Sequence, residues 1–133
     1  MIDIQLRFDI KDFDPLIEIS FNGKVLHDGP AKHEYSFKCE TIHGLKSAKN
    51  RLQIRRYGKD YKLHQDDKRD QAVIIKEISL NGMTFPDMAS YGEFITDTNE
   101  TLHTDYLGHN GLYTFRFGSP VESWMVNKMY LHM

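Results

Sequence analysis

The stretch Asp70–Phe85, DQAVIIKEISLNGMTF, decides how the rest of the chain is interpreted. It holds the densest run of β-branched and aliphatic residues in the sequence, and such side chains pack well on a pleated sheet but lose rotamer freedom in a helix. In its second half, apolar residues alternate with polar ones, as in a strand with one buried face. Asn81-Gly82 then favours a type I′ turn. The stretch therefore predicts a strand inside a sheet, with Met83 to Phe85 returning as the second arm of a hairpin.

Alternation of the same kind recurs along the chain, with turn residues between the runs. From Ile2 to Ile10 every second residue is apolar, which is typical of an antiparallel strand with one buried face. Asn22-Gly23 predicts a second hairpin turn. The other strands are predicted at Ile17–Phe21, Lys24–Leu26, Tyr35–Cys39, Arg51–Tyr57, Leu102–Tyr106 and Leu112–Phe117, with loops at 27–32 and 58–69.

Seven or eight such strands, with no β-α-β pattern between them, predict an all-β fold: a two-sheet antiparallel β-sandwich. Several connections are too long for simple hairpins, which favours a jelly-roll-like order of strands. Residues 120–132 fit either a short C-terminal helix or a strand, and the helix is preferred because Ser119-Pro120 with Glu122 has the pattern of a helix cap. At 133 residues, the chain is interpreted as one β-sandwich domain spanning residues 1–133.

Charge and composition exclude several classes of partner. The net charge of -2 gives no electrostatic reason to expect nucleic acid. Arg51, Arg55, Arg56 and Lys59 form a local basic cluster, which is interpreted as a solvated face because acidic residues follow it closely. No run approaches the roughly 20 apolar residues that span a bilayer, and the first residues lack the pattern of a secretory signal. We therefore expect a protein made in the cytoplasm with no membrane partner.

Catalytic chemistry has little support in the sequence. The single cysteine, Cys39, excludes an intramolecular disulfide and a multi-cysteine zinc site, and its alternation with apolar neighbours predicts a core position. Serine-elbow and phosphate-cradling motifs are absent from the sequence. A cluster of His103, Asp105 and His109 is the one enzymatic hypothesis, and it ranks last. We expect no enzyme, no catalytic residue and no cofactor.

Metal binding is considered at one acidic loop. Asp60, Asp66, Asp67 and Asp70 supply the hard oxygen ligands that calcium prefers. Their spacing matches no EF-hand loop, and interleaved lysine and arginine residues would repel the ion. No metal site is predicted, and calcium binding at these four residues stays open.

Aromatic residues outside the alternating core pattern are the remaining candidates for a binding site. They are Tyr57, Tyr61, Tyr91 and Trp124. Aromatic rings exposed on a β-sandwich can stack on sugars or anchor a protein interface. The alternative for Tyr91 and Trp124 is that they close the ends of the core.

Three segments between Leu52 and Trp124 carry a resemblance to known proteins: LQIRRYGK, DQAVIIKEISLNGMTF and HNGLYTFRFGSPVESW. Together they resemble small β-sandwich proteins of tailed bacteriophages. That resemblance implies a non-enzymatic virion or tail component, located in the virion, that assembles with other virion proteins or with copies of itself as a homo-oligomer. The strand-Asn-Gly-strand pattern is also similar to β-sandwich carbohydrate-binding modules, which implies a glycan ligand instead. Neither resemblance brings a motif that fixes a functional residue.

Overall fold

Two antiparallel β-sheets pack face to face in the computed structural model, which describes residues 1–10, 15–45, 48–59 and 72–131, without the side chains of 129–131. A 3-10 helix (Met88–Tyr91) and a C-terminal α-helix, α1 (Val121–Leu131), complete the described part of the chain. The strands are β1 (Ile2–Ile10), β2 (Leu16–Phe21), β3 (Lys24–Pro30), β4 (Glu34–Cys39), β5 (Asn50–Tyr57), β6 (Val73–Leu80), β7 (Glu93–Thr96), β8 (Thr101–Leu102), β9 (Tyr106–Leu107) and β10 (Gly111–Phe117).

The strand order confirms the predicted fold class. A four-stranded sheet has the order β4-β1-β6-β9, and a six-stranded sheet has the order β3-β2-β5-β10-β7-β8. The chain passes back and forth between the sheets, as expected for a jelly-roll-like sandwich. Residues 121–131 form the short helix that the capping pattern favoured. In the described residues, no helix is long and apolar enough to cross a membrane.

The core lies between the two sheets and is built from the apolar half of each alternating strand. In β1, the side chains of Ile2, Ile4, Leu6 and Phe8 are at most 2% exposed. Strands β2, β5 and β10 supply the facing layer, with Ile19, Leu52 and Phe115 among its buried residues. Cys39 is buried here as predicted. The alternation thus determines which face of each strand remains outside.

Strand β6 occupies an interior position between β1 and β9, as its composition predicted. Its turn also has the predicted geometry, with φ of 52° at Asn81 and 77° at Gly82. The predicted return arm from Met83 to Phe85 is wrong, because only one bridge forms, between Leu80 and Met83. Farther along β6 the free edge is taken by β9, and the chain after Met83 turns away toward the 3-10 helix.

Other differences concern short or edge strands. Strand β3 continues to Pro30, where a loop was predicted, and its edge position tolerates proline. The single strand expected at Leu102–Tyr106 is two short strands, β8 and β9, which belong to different sheets. Strand β7 was not predicted, because four residues are too few to establish a period.

Candidate functional site

The outer face of the six-stranded sheet carries the side chains that alternation turns away from the core. On β5 these are Arg51, Gln53, Arg55 and Tyr57, since the residues between them are buried. One of the buried residues is Arg56, whose side chain is 1% exposed. The prediction that Arg56 belongs to a solvated basic face is therefore wrong: it points inward with the apolar residues of the same strand.

Tyr57 makes a contact that fixes how its side chain lies on this face. Its hydroxyl donates a hydrogen bond to the Asp28 carboxylate on β3. Tyr57 opposes Leu16 of β2, and Asp28 opposes Glu18 of the same strand, so β2 runs between the two bonded residues.

Strand geometry gives the length that this bond must span. Strands β5 and β3 lie on either side of β2, about 10 Å apart at the usual strand spacing. The two residues are also offset by two positions along the strands, or about 7 Å. A direct line between them is therefore roughly 12 Å long. Tyr57 reaches Asp28 only if its side chain extends across β2, with the long axis of the ring along the sheet surface.

The residues around the ring are charged and contact it from neighbouring positions. The Arg55 guanidinium carbon lies 5.6 Å from the centre of the Tyr57 ring. Glu18 opposes both Arg55 and Asp28 in the strand register, so the three form one row across β5, β2 and β3. We call Glu18, Asp28, Arg55 and Tyr57 the Tyr57 platform.

The hydrogen bond also affects the ionisation of the phenol. The pKa of Tyr57 is raised above its usual value, and the largest cause is the hydrogen bond to Asp28. Deprotonation would break this bond and place two negative charges side by side. Glu18 acts in the same direction, and Arg55 opposes it. Near neutral pH the platform therefore presents a neutral aromatic ring with carboxylates and a guanidinium at its edge.

This arrangement suits a ligand that has an apolar face and a polar rim. An aromatic ring offers a large contact area at a low cost in conformational entropy, and this ring is already held in place. Carboxylates accept hydrogen bonds and a guanidinium donates them. A ligand hydroxyl therefore has a partner here whether it donates or accepts a hydrogen bond.

Of the other predicted aromatic residues, Trp124 lies in the core. It is 8% exposed, and its ring centre is 5.9 Å from that of Phe115 and 6.0 Å from that of Phe117. The Lys128 ammonium lies 5.8 Å from the centre of the indole, over its outer side. Trp124 thus attaches α1 to the sandwich, which agrees with the alternative that it closes the end of the core.

Tyr91 is 48% exposed at the end of the 3-10 helix, where its ring packs against Phe85 at 5.4 Å. Tyr61 lies outside the described residues. Tyr57 and Tyr91 belong to different elements, so the structure does not combine them into one aromatic surface.

The hypotheses of a metal site gain no support from the described residues. Among these residues, no group of three or more His, Cys, Asp or Glu side chains is arranged to hold a metal ion. His103, Asp105 and His109 therefore form no such centre. The acidic residues considered for calcium, Asp60, Asp66, Asp67 and Asp70, fall outside the described part of the chain.

Asp28 and Glu18 are members of the platform that the sequence analysis did not single out. The alternation of β2 already placed Glu18 on a polar face. Asp28 was assigned to a loop, so its pairing with β2 and its reach to Tyr57 were not evident. Treating His27–Pro30 as an edge-strand continuation of the Asn22-Gly23 hairpin would have placed it correctly.

Comparison with known proteins gives matches at the level of the fold. No protein-family model matches the sequence, and no curated protein matches it. One similar solved structure is vCBM60 in complex with galactobiose, with a TM-score of 0.56 and 14% identity, covering 86% of this chain and 97% of that chain. The sandwich shares the fold of vCBM60.

A second similar structure is the selenomethionine form of vCBM60, with a TM-score of 0.57 and 13% identity. It covers 88% of this chain and 92% of that chain. It is described in work linking two families of calcium-dependent carbohydrate-binding modules by circular permutation. At these identities the likeness concerns the fold.

These matches overturn the first sequence hypothesis, that of a phage virion component assembling with virion proteins or copies of itself. The two similar structures described above are both of the carbohydrate-binding module vCBM60, and neither is a phage tail protein. The three segments behind the phage resemblance are alternating strands with Asn-Gly turns, and such a pattern occurs in sandwiches of many functions. The alternative drawn from the same pattern, a carbohydrate-binding module, agrees better with the fold.

Proposed function

We propose that this protein is a non-catalytic carbohydrate-binding module whose ligand stacks on the Tyr57 platform. The observation that carries the proposal is the fold shared with vCBM60 over most of both chains, with one vCBM60 structure bound to galactobiose. The platform supplies what such a function requires: an aromatic ring fixed on an outer sheet face with donors and acceptors beside it.

The platform also sets the expected strength of binding. A sugar ring contacts one tyrosine, and its hydroxyls exchange bonds to water for bonds to Glu18, Asp28 and Arg55. An exchange of this kind contributes only about 0.5–1.5 kcal/mol per hydrogen bond. We therefore expect dissociation constants on the order of micromolar to millimolar for a short glycan.

Calcium is the ion named for the structurally similar modules. Calcium takes six to eight oxygen ligands, mostly from carboxylates and carbonyls. No described cluster of acidic side chains meets this need. No role in binding is therefore assigned to calcium at the Tyr57 platform, and titrations with calcium and with EDTA test for dependence on the ion.

The proposal is tested by titrating galactobiose into ¹⁵N-labelled protein and following the amide signals. The expected result is a saturable shift of the amides of Glu18, Asp28 and Arg55. Tyr57→Ala should abolish these shifts, whereas Tyr57→Phe should keep part of them because the stacking surface remains. Tyr106→Ala, at a partly exposed tyrosine on the other sheet, is the matched control.

Two results would contradict the proposal. If no amide responds to galactobiose or to a panel of glycans, with or without calcium, the protein is not a carbohydrate-binding module for those sugars. If glycan binds but Tyr57→Ala leaves the shifts at Glu18, Asp28 and Arg55 unchanged, Tyr57 is not the stacking residue.

A further inference from the structure

The outer face of the four-stranded sheet contains a groove that belongs to none of the features described so far. A cavity of about 510 Å³ lies over β4, β1 and β6, and its polar lining comprises Gln5, Arg7, Glu34, Ser36 and Glu77. A second cavity, of about 320 Å³, lies between β6 and the segment 84–89. Glu77 lines both cavities, so they adjoin each other. We call the two together the Glu77 groove.

A β-bulge explains why an outer sheet face is indented here. The register between β1 and β6 shifts between Arg7 and Phe8, which leaves Lys76 as an extra residue on β6. A bulge bends its strand and increases the local twist. Glu77, which follows the extra residue Lys76, lines the cavity beside this bulge.

The lining of the first cavity has unused hydrogen-bonding capacity. Within the described part of the chain, the side chains of Gln5, Glu34 and Ser36 make no hydrogen bond or ion pair. The one pair in the cavity joins Arg7 Nη2 and Glu77 Oε2 at 3.4 Å, and both side chains are well exposed, at 58% and 41%. Such a pair is weak and gives way readily to a ligand. An amide, a hydroxyl, two carboxylates and a guanidinium are thus available to a polar ligand.

The second cavity adds an aromatic surface at the far end of the groove. Phe85 lines it, and the Phe85 ring packs on the exposed ring of Tyr91. Asp87 and Asp105 line the same cavity and provide acceptors beside the aromatic pair. Each cavity has a volume within the range of small-molecule sites.

From these features we infer that the Glu77 groove is a second carbohydrate site, one that takes an oligosaccharide lying across β4, β1 and β6 with its end on Phe85. The polar first cavity suits the many hydroxyls of a sugar, which can reproduce the hydrogen bonds that water makes to such groups. The aromatic far end suits the apolar face of another sugar unit. Because the two cavities adjoin, a ligand needs at least two linked sugar units to occupy both. The inference rests on the proposed function for the class of ligand but involves none of the residues of the Tyr57 platform.

The test compares galactose, galactobiose and a galactotetraose by following the amide signals of both sites in the same titration. We expect the amides of Gln5, Arg7 and Ser36 to shift, with affinity at these residues rising at least tenfold from galactose to the tetrasaccharide. Ser36→Lys, which fills the first cavity from an exposed edge strand, should abolish these shifts and leave those of the Tyr57 platform unchanged. Gln5→Ala should weaken binding at the groove severalfold, and Gln53→Ala on the other sheet is its matched control.

The outcomes separate this inference from the proposed function. Shifts at the Tyr57 platform alone would overturn the groove site and leave the proposed function standing. Amide shifts at the groove alone would support the groove as a carbohydrate site and would overturn the proposal that the ligand stacks on the Tyr57 platform. Equal affinity for galactose and the tetrasaccharide, or groove shifts that survive Ser36→Lys, would overturn the extended site. If the amide signals of neither site shift with any of the three sugars, both proposals are overturned.

Discussion

At the scale of single residues, Arg55 and Arg56 show how one step along a strand changes the environment of a charge. Arg55 lies on the outer face beside the Tyr57 ring, whereas Arg56 is 1% exposed on the core side of the same strand. Arg56 Nη1 donates a hydrogen bond of 3.0 Å to the Tyr57 carbonyl. A guanidinium is removed from water only at a large cost, which the buried contacts of Arg56 offset in part.

We predict that Arg56→Ala lowers the free energy of unfolding by about 3 kcal/mol, because it leaves a cavity and deprives buried groups of their donor. Arg55→Ala, one position away, should change it by less than about 0.5 kcal/mol, as exposed substitutions usually do. Urea unfolding of the two variants measures the difference. Equal effects would show that the burial of Arg56 has no energetic consequence.

The hydroxyl of Tyr57 gives a second prediction at this scale. The Asp28 bond raises the pKa of Tyr57, so the stability it contributes is fully present below the ordinary tyrosine pKa of about 10 and is lost as pH rises through the higher folded-state value. Asp28→Asn should lower the pKa of Tyr57 toward its ordinary value. Titration of the tyrosine Cζ signals by ¹³C NMR measures this shift. An unchanged Tyr57 titration in the variant would mean that the bond does not form in solution.

At the scale of elements, long alternating strands could be predicted and short or edge strands could not. Strands β1, β5 and β10 span seven to nine residues, enough for a period of two to stand out. Strands β8 and β9 have two residues each, and only their neighbours in space make them strands. The same limit applied to the candidate site. Alternation marked Tyr57 as outward-facing, but its partner Asp28 lies 29 residues away on β3, which is separated from β5 by β2.

Helix α1 gives a prediction about one of its buried side chains, that of Trp124. Trp124→Ala should lower the free energy of unfolding by about 3–5 kcal/mol, because the indole fills the space over Phe115 and Phe117. Val126→Ala on the exposed side of the same helix is the control, with an expected change below about 0.5 kcal/mol. Urea unfolding measures both. If Trp124→Ala removed glycan-induced shifts without changing stability, Trp124 would be a binding residue, as one sequence interpretation held.

At the scale of the whole molecule, the two proposed sites lie on the outer faces of different sheets. The sheets of a sandwich pack about 10 Å apart with their outer faces pointing in opposite directions. The Tyr57 platform and the Glu77 groove therefore face away from each other, and one ligand chain of two to four sugars cannot occupy both.

This geometry predicts that a single molecule links two separate glycan chains. Beads coated with galactobiose or a galactotetraose should aggregate when the protein is added, because each molecule contacts two beads. Tyr57→Ala and Ser36→Lys should each abolish aggregation while leaving the protein able to coat the beads. Turbidity measures aggregation, and bead-bound protein measures coating. Aggregation that persists in either variant would refute the two-faced arrangement.

The position of β1 has a further consequence, for synthesis of the chain. This strand comes before the other described strands in the chain, yet one of its two edges pairs with β6, where Ile4 opposes Leu80. All of the chain between β1 and β6 must be made before that edge is covered, and pairings between distant segments form slowly. Until then, a nascent chain exposes the apolar side chains of β1 that the core later buries, beside an open strand edge, and chaperones bind and aggregation begins at such surfaces.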